Sequence, residues 1–305
     1  MKPFGGLSQM LWLVARRERG WIGWTTITFA VMYLATATQM STLAPSAADR
    51  FNLQKSLSLA PAMTMLLGRF GHPETVASTV AWRIGLFMAA ALAVLAALTV
   101  VRHTRAEEDA GRLELLAAGR LGRGSNLAAA VLAALAPVLV VSAASSAALV
   151  GRGASASQLA ANFVALRLPA LVAIAVAALA AQAVASARAA KAVAISIVLI
   201  AYALRGLSDV RGLETLTQIN PFGWYVAVDP FGDINIWPAV LSAAIFGVLA
   251  CVAFVLDSRR DLGAGLFAVG AGRPHARFLT GPGTLVTRLG WRTLVGWQVV
   301  MVLMG

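Results

Sequence analysis

An all-α fold, a polytopic transmembrane helix bundle, is what this sequence predicts. The expected layout is six spans, the start of a seventh, and cytoplasmic amphipathic helices. Three observations point to it. Of the 305 residues, 59% are hydrophobic and only 12% are charged, whereas soluble domains carry about 25% charged residues. Mean hydropathy is +0.77. The apolar residues are also gathered into runs near the length of about 20 that crosses a bilayer, with Arg and Lys collected between them. A net charge of +12 would suggest nucleic acid for a soluble protein. Here it reads as basic residues flanking spans and meeting lipid headgroups, and no basic domain outside the membrane is present to bind a nucleic acid. Abundant Ala and the excess of Arg over Lys fit a high-GC bacterial genome, so the expected location is the bacterial inner membrane. The single Cys251 excludes an internal disulfide and a cysteine metal cluster.

Residues 1–20 read as an N-terminal interfacial helix. Leu7, Met10, Leu11 and Val14 share one stripe. Arg16, Arg17 and Arg19 follow the apolar part instead of preceding it, unlike a signal peptide. Residues 21–256 form the transmembrane domain. Its first span covers about Trp21 to Met40. Ser41 to Val80, with Pro45, Pro61 and Pro73, is too polar to cross, and Leu57 to Leu67 is expected to be a short surface or re-entrant helix. The second span is about Ala81 to Val101. The third, about Leu127 to Val150, holds Pro137, which predicts a kink. After a loop at Gly151 to Gln158, the fourth span runs about Leu168 to Ala187 and the fifth about Ala192 to Leu207. Arg205 makes that fifth run short, so its side chain either snorkels, the preferred reading, or faces a polar cavity. Asp209 to Asn235 reads as irregular, and the sixth span as about Ile236 to Leu256.

Residues 257–292 read as a basic cytoplasmic linker, and 293–305 as the start of a second transmembrane repeat. Arg292-x-x-x-Gly296-Trp297 repeats the spacing Arg19-x-x-x-Gly23-Trp24 at the mouth of an apolar run. The chain is therefore expected to be the N-terminal half of a duplicated protein. With the N-terminus inside, seventeen basic residues fall on the cytoplasmic side and eight outside, which favours that orientation.

The stretch between spans two and three is the most informative. Thr104-Arg105-Ala106-Glu107 fits a capping box. Glu107, Glu108 and Asp109 then fall in a first helical turn, where the helix dipole favours negative charge. Glu108 and Arg112 are four apart in the favourable order. A short amphipathic helix over 104–119 is expected, stopping at Gly119. Three successive acids suit a basic protein partner better than an anionic leaflet.

Other chemistry is missing from the sequence. There is no Gly-x-x-x-x-Gly-Lys-Ser/Thr phosphate loop and no Gly-x-Ser-x-Gly elbow. His72, His103 and His275 lie in separate loops, so no metal site is expected. All thirteen acids fall outside the expected spans, which argues against proton coupling, since proton-driven transporters place carboxylates within the membrane. Phe222, Trp224, Tyr225 and Phe231 are candidates for an outer gate, or else interface anchors.

Arg105-Ala106-Glu107-Glu108-Asp109-Ala110-Gly111-Arg112-Leu113-Glu114-Leu115-Leu116 resembles the Arg-Ala-Glu-Glu-Glu-x-Gly-Arg-Leu-Glu-Leu-Leu stretch of ATP-binding-cassette permeases, the tetronasin-type group of polyketide-antibiotic exporters. Asp109 stands where that group has Glu. The six-span layout also resembles type 2 ABC exporters. The resemblance implies a permease subunit that moves a hydrophobic drug-like substrate outward. It has no ATPase motifs and no cofactor of its own, and ATP-Mg sits on a separate cytoplasmic ATPase. Helix 104–119 would be the coupling helix, with Glu107, Glu108, Asp109, Arg112 and Glu114, together with Arg16, Arg17 and Arg19, at the ATPase contact. Other implied partners are membrane lipid and a second transmembrane half or a homodimer mate. The rival readings are an ion-coupled secondary multidrug transporter and a non-transport membrane protein.

Overall fold

The computed structural model describes residues 4–58, 60–113, 122, 124–259 and a few positions between 281 and 298. Among the described residues there are eleven helices and no strand. The chain divides into two units, 1–268 and 269–305. In the second, Thr284 Oγ1 donates to the Gly281 carbonyl at 2.7 Å. Most of the expected linker and the start of a second repeat lie outside the described residues.

Helix α1 spans Leu7–Leu43, 37 residues without a break, about 55 Å of rod at 1.5 Å per residue. The stretches read as an interfacial helix and a first span are thus two ends of one helix. Its threonines look polar in a hydropathy sum. Yet Thr25, Thr26 and Thr36 each donate to the carbonyl four residues earlier, at 2.7–2.8 Å, so their hydroxyls are satisfied within the helix. One stripe is buried: Met10, Val14, Glu18, Thr25, Phe29, Tyr33, Ala37 and Met40.

The chain then bends by 102° into α2 (Ala47–Ser58). Arg50 holds this bend. Its guanidinium is buried and donates to the carbonyls of Ala44, Pro45, Pro73 and Glu74 at 2.8–3.0 Å. The short α3 (Pro61–Leu67) starts on its proline and packs on α8, described below. Helix α4 (Val76–His103) is capped by reciprocal bonds between Thr75 and Ser78. It is followed by α5 (Arg105–Asp109), α6 (Ser125–Ala147), α7 (Ala156–Ala183), α8 (Ala187–Arg211), α9 (Glu214–Gln218), α10 (Pro221–Ala227) and α11 (Trp237–Arg259).

Helix α7 is the hub and packs on α4, α6, α8, α10 and α11. Its inner face is alanine-rich: Ala161, Ala165, Ala173, Ala177 and Ala178 are buried. On α4, which packs on it, Ala89, Ala93, Ala96 and Ala97 are also buried. Small side chains let backbones approach closely, which replaces the hydrophobic drive that lipid removes. Among the described residues, five helices are long and apolar enough to cross a membrane: α4 with α5, α6, α7, α8 and α11. Helix α1 meets the same measure only jointly with α2.

Several sequence expectations need correction. The segment 209–235 is largely helical. Asn220 caps α10 by accepting the Phe222 amide at 2.9 Å, and Pro221 occupies the first turn, where its missing N–H costs nothing. Helix α7 begins at Ala156, well before Leu168, because Ser155 and Gln158 cap it reciprocally. Helix α8 runs on to Arg211, and Arg205 does not snorkel. Its side chain is fully buried and donates to Asp209 at 2.7 Å and to the Met65 and Leu66 carbonyls at 2.9 and 3.2 Å. A buried charge paired in this way need not reach water.

Gly206 lets α3 sit this close to α8: a Cβ there would lie 2.4 Å from the Met65 carbonyl oxygen. Gly206→Ala is therefore expected to lower the thermal unfolding temperature of the purified protein, as overpacking by a methyl costs about 1–3 kcal/mol. Gly247→Ala on α11, with nothing within 4 Å, is expected to leave it unchanged or raise it.

Candidate functional site

Two polar clusters occupy opposite ends of the bundle. The first is an elbow formed by α5 between α4 and α6. The expected helix 104–119 is broken: α5 ends at Asp109, the chain turns at Gly111 with φ +68°, a conformation that favours glycine, Arg112 and Leu113 are again helical, and 114–119 lie outside the described residues. Glu114 lies outside the described residues. The capping box does not form. Thr104 Oγ1 donates to the Val100 carbonyl of α4 at 2.7 Å, and Glu107 points elsewhere.

The acids pair within the chain, and Glu107 is buried. It accepts from Arg17 of α1 at 2.9 Å and from Arg112 at 2.5 Å. Its hydrogen bond raises the Arg112 pKa, so that guanidinium keeps its charge. Glu108 pairs with Arg105 at 2.5 Å, not with Arg112 as expected. Asp109 accepts the Ala187 amide at the start of α8, at 2.7 Å. Arg105 is fully buried and also donates to the Val184 carbonyl at the end of α7. Beside them lies Glu18, a residue that sequence reasoning missed. It is 3% exposed and accepts from Arg102, and its Oε1 lies 2.8 Å from His103 Nε2. Glu18 continues the spacing of Met10 and Val14 by one more step of four, the one signal that marked it.

The structure thus joins Arg17, Glu107 and Arg112 in one network and ties Glu108 and Asp109 to neighbouring elements. It leaves Arg16 over the Trp12 ring at 5.4 Å and Arg19 exposed. The outer rim of this end carries exposed Arg16, Arg17, Arg19, Arg112 and Arg188, with Asp109 the exposed acid of the elbow.

The second cluster lies at the other end. Phe222, Trp224 and Tyr225 of α10 are buried. That burial is inconsistent with a role as interface anchors. Phe222 meets the Tyr202 ring edge-on at 5.4 Å, Trp224 Nε1 donates to the Gln218 carbonyl at 2.6 Å, and Tyr225 reaches the Ala81 carbonyl at 3.4 Å. Tyr225 and Phe231 line a cavity of about 300 Å³ with Phe70, His72, Trp82 and Asp229. His72 Nε2 lies 2.9 Å from Asp229, tying the chain before α4 to the turn after α10.

Residues 7–256 match the family model described as the multidrug efflux system permease Rv1217c, C-terminal domain. The chain belongs to this permease family. It is also 33% identical over 307 aligned residues to the multidrug efflux system permease protein Rv1217c of Mycobacterium tuberculosis (strain ATCC 25618 / H37Rv), covering 99% of this chain and 55% of that protein. The chain therefore spans about half the length of this relative. The matched model's description names a C-terminal domain, whereas the sequence alone led us to expect an N-terminal half.

Within this chain, the elbow is organised by buried pairs, and removing one partner of such a pair leaves an uncompensated charge that costs about 3–5 kcal/mol. Glu18→Ala should therefore strongly destabilise the protein, measured by thermal unfolding in detergent. Arg16→Ala, at an exposed site, should change stability by no more than about 0.5 kcal/mol.

Proposed function

We propose that this chain is the membrane-spanning permease part of an ABC exporter in a bacterial inner membrane. ATP hydrolysed on a separate cytoplasmic ATPase would drive a hydrophobic, drug-like substrate outward. The observation that carries this is the elbow. The stretch that resembles the coupling region of ABC permeases is fastened to α1, α4, the end of α7 and the start of α8. A push on it would move four helices together. The name of the related efflux permease supports drug export, and a polyketide-like substrate rests on the resemblance at 105–116.

In this reading the elbow end is cytoplasmic. Glu107, Glu108, Asp109 and Arg112 act as the internal joint of the coupling device. The ATPase meets the exposed arginines Arg16, Arg17, Arg19 and Arg112, so the contacting surface of the partner is acidic. This reverses the sign expected when the acids were taken as the contact. Six spans would follow if α1 crosses, its threonine hydroxyls being satisfied internally. The sparsely buried α11, with 11% of its most apolar stretch covered, faces lipid, a second transmembrane half or a homodimer mate.

One observation favours a secondary transporter instead: Glu18 and Asp209 lie within long helices and are buried or nearly so. Glu18 is paired with Arg102 and Asp209 with Arg205, the ion pairing that a buried charge requires for structural reasons alone. Gentle isolation from the native host should yield a co-purifying ATPase with vanadate-sensitive hydrolysis. Export should stop with vanadate and persist when the proton gradient is collapsed; the opposite pattern would establish the secondary transporter. Asp109→Ala removes the tie from α5 to α8. It should cut export at least about tenfold, of the order of one lost charge-assisted hydrogen bond, while the ATPase still co-purifies. Unchanged export would remove Asp109 from the coupling path.

A further inference from the structure

The cavity at the end opposite the elbow has walls largely of one chemical kind. Phe70 comes from the segment before α4, Trp82 from α4, Tyr225 from α10 and Phe231 from the turn after it, and Leu67 and Leu86 join them on the lining. At about 300 Å³ it lies at the lower end of the usual small-molecule range of about 300–1,000 Å³. That is room for a small ring system and not for a whole large drug. The walls are held from several sides. Phe70 stacks on Trp82 with centroids 4.3 Å apart and planes 12° apart. Trp82 Nε1 donates to the Gly68 carbonyl at 2.9 Å, so the ring pair stands as one wall. Leu67 belongs to α3, whose Met65 and Leu66 carbonyls accept from Arg205. The Phe231 carbonyl accepts from Gln158 of α7 at 3.4 Å. A site formed in advance spends little of its binding free energy on ordering its own walls.

Charge decides what such a cavity can take. Among the described residues, the lining holds three side chains that carry or can take a charge, Arg69, His72 and Asp229, and each is already engaged. Arg69 donates to the Asp209 carbonyl at 3.0 Å and acts on the Asp209 carboxylate. His72 and Asp229 meet at 2.9 Å, with Glu74 4.0 Å from the other ring nitrogen. An ion entering the cavity would give up its water without meeting a counter-charge held ready for it, and that is costly. A flat, uncharged ring system has no such hydration to lose. It gains from the aromatic faces, because offset-stacked and edge-to-face contacts add to simple burial. We propose that the cavity is a binding site for a planar aromatic group without formal charge, held against the Phe70–Trp82 wall and Phe231. This deepens the exporter reading and rests on it in one respect: the group is taken as part of the exported substrate.

The test uses the full chain in phosphatidylcholine nanodiscs, with 9-anthracenemethanol as a fluorescent probe and empty discs as background. Saturable binding above that background is expected in fluorescence anisotropy. 9-Anthracenecarboxylate and protonated 9-(aminomethyl)anthracene should bind at least about tenfold more weakly, since each carries an unpaired charge into the cavity. Perhydroanthracene-9-methanol, which keeps the carbon framework and lacks the π faces, should compete at least about threefold less well than the aromatic alcohol, the scale of an aromatic contact. Phe231→Leu and Phe70→Leu keep an apolar wall and lose a π face, so each should move this aromatic preference toward parity. Phe51→Leu, on α2 and outside the lining, should leave it unchanged. Thermal unfolding of each variant confirms that folded protein is being compared. Absence of saturable binding, equal binding of the ions, or an undiminished aromatic preference in both Phe231→Leu and Phe70→Leu overturns the proposal. Vanadate-sensitive export without this binding sinks the site alone, whereas the binding preferences without any ATP-driven export sink the exporter reading alone.

Discussion

An ionised group inside an alanine-packed bundle must carry its partners with it, and two fully buried arginines set the shape of this molecule. Arg105 and Arg205 stand at opposite ends and solve the problem in the same way. Each pairs with an acid about one turn further along, Glu108 or Asp209. Each also donates to backbone carbonyls where a neighbouring segment turns or ends, Val184 for one and Met65 with Leu66 for the other. The carbonyls at a helix end have no partner within the helix, and a guanidinium with five donors suits both needs at once. The charges therefore serve to fasten irregular backbone to the bundle. The same logic explains Arg50, whose four carbonyl contacts hold the bend after α1.

The acids of the elbow follow from this constraint. Read along the sequence, Glu107, Glu108 and Asp109 look like an exposed acidic face. In three dimensions each has a separate internal partner, on α1 and beyond Gly111, on Arg105, and at the start of α8. Five residues of helix are too few to stand alone. The elbow keeps its shape because its side chains are tied to helices that are themselves packed.

The helices were legible because hydropathy runs report them directly. The class, the long apolar helices and the special character of 104–113 could all be read from spacing and composition. What failed was local pairing. The capping box at Thr104 and the Glu108–Arg112 pair are sound within an isolated helix, but Glu107 is taken by Arg17, ninety positions away in the chain, and by Arg112, while Glu108 is taken by Arg105. Glu18 was hidden because three arginines surround it in sequence and make the segment look like an anchor. Only the four-residue step from Met10 and Val14 marks it as buried. Arg205 misled for the reverse reason. A charge at the end of an apolar run reads as the end of a span, unless the chain folding back onto it at Met65 is known.

The two ends are not independent. Helix α4 carries Trp82 on the cavity wall at one end and Arg102 and His103 in the elbow at the other. Helix α8 starts at the amide that Asp109 holds and carries in its last two turns Arg205, the arginine that holds α3. At 25 residues it is a rod of about 37 Å at 1.5 Å per residue. Between these fastenings both helices pack on α7, and small sliding of packed helices is one of the ways a bundle changes state. In the exporter reading proposed above, a displacement of the elbow would be carried along α4 and α8. It would arrive at α3 and at the Phe70–Trp82 wall. On that reading, fastenings at both ends of the same two rods would let one joint act on the far end of the bundle.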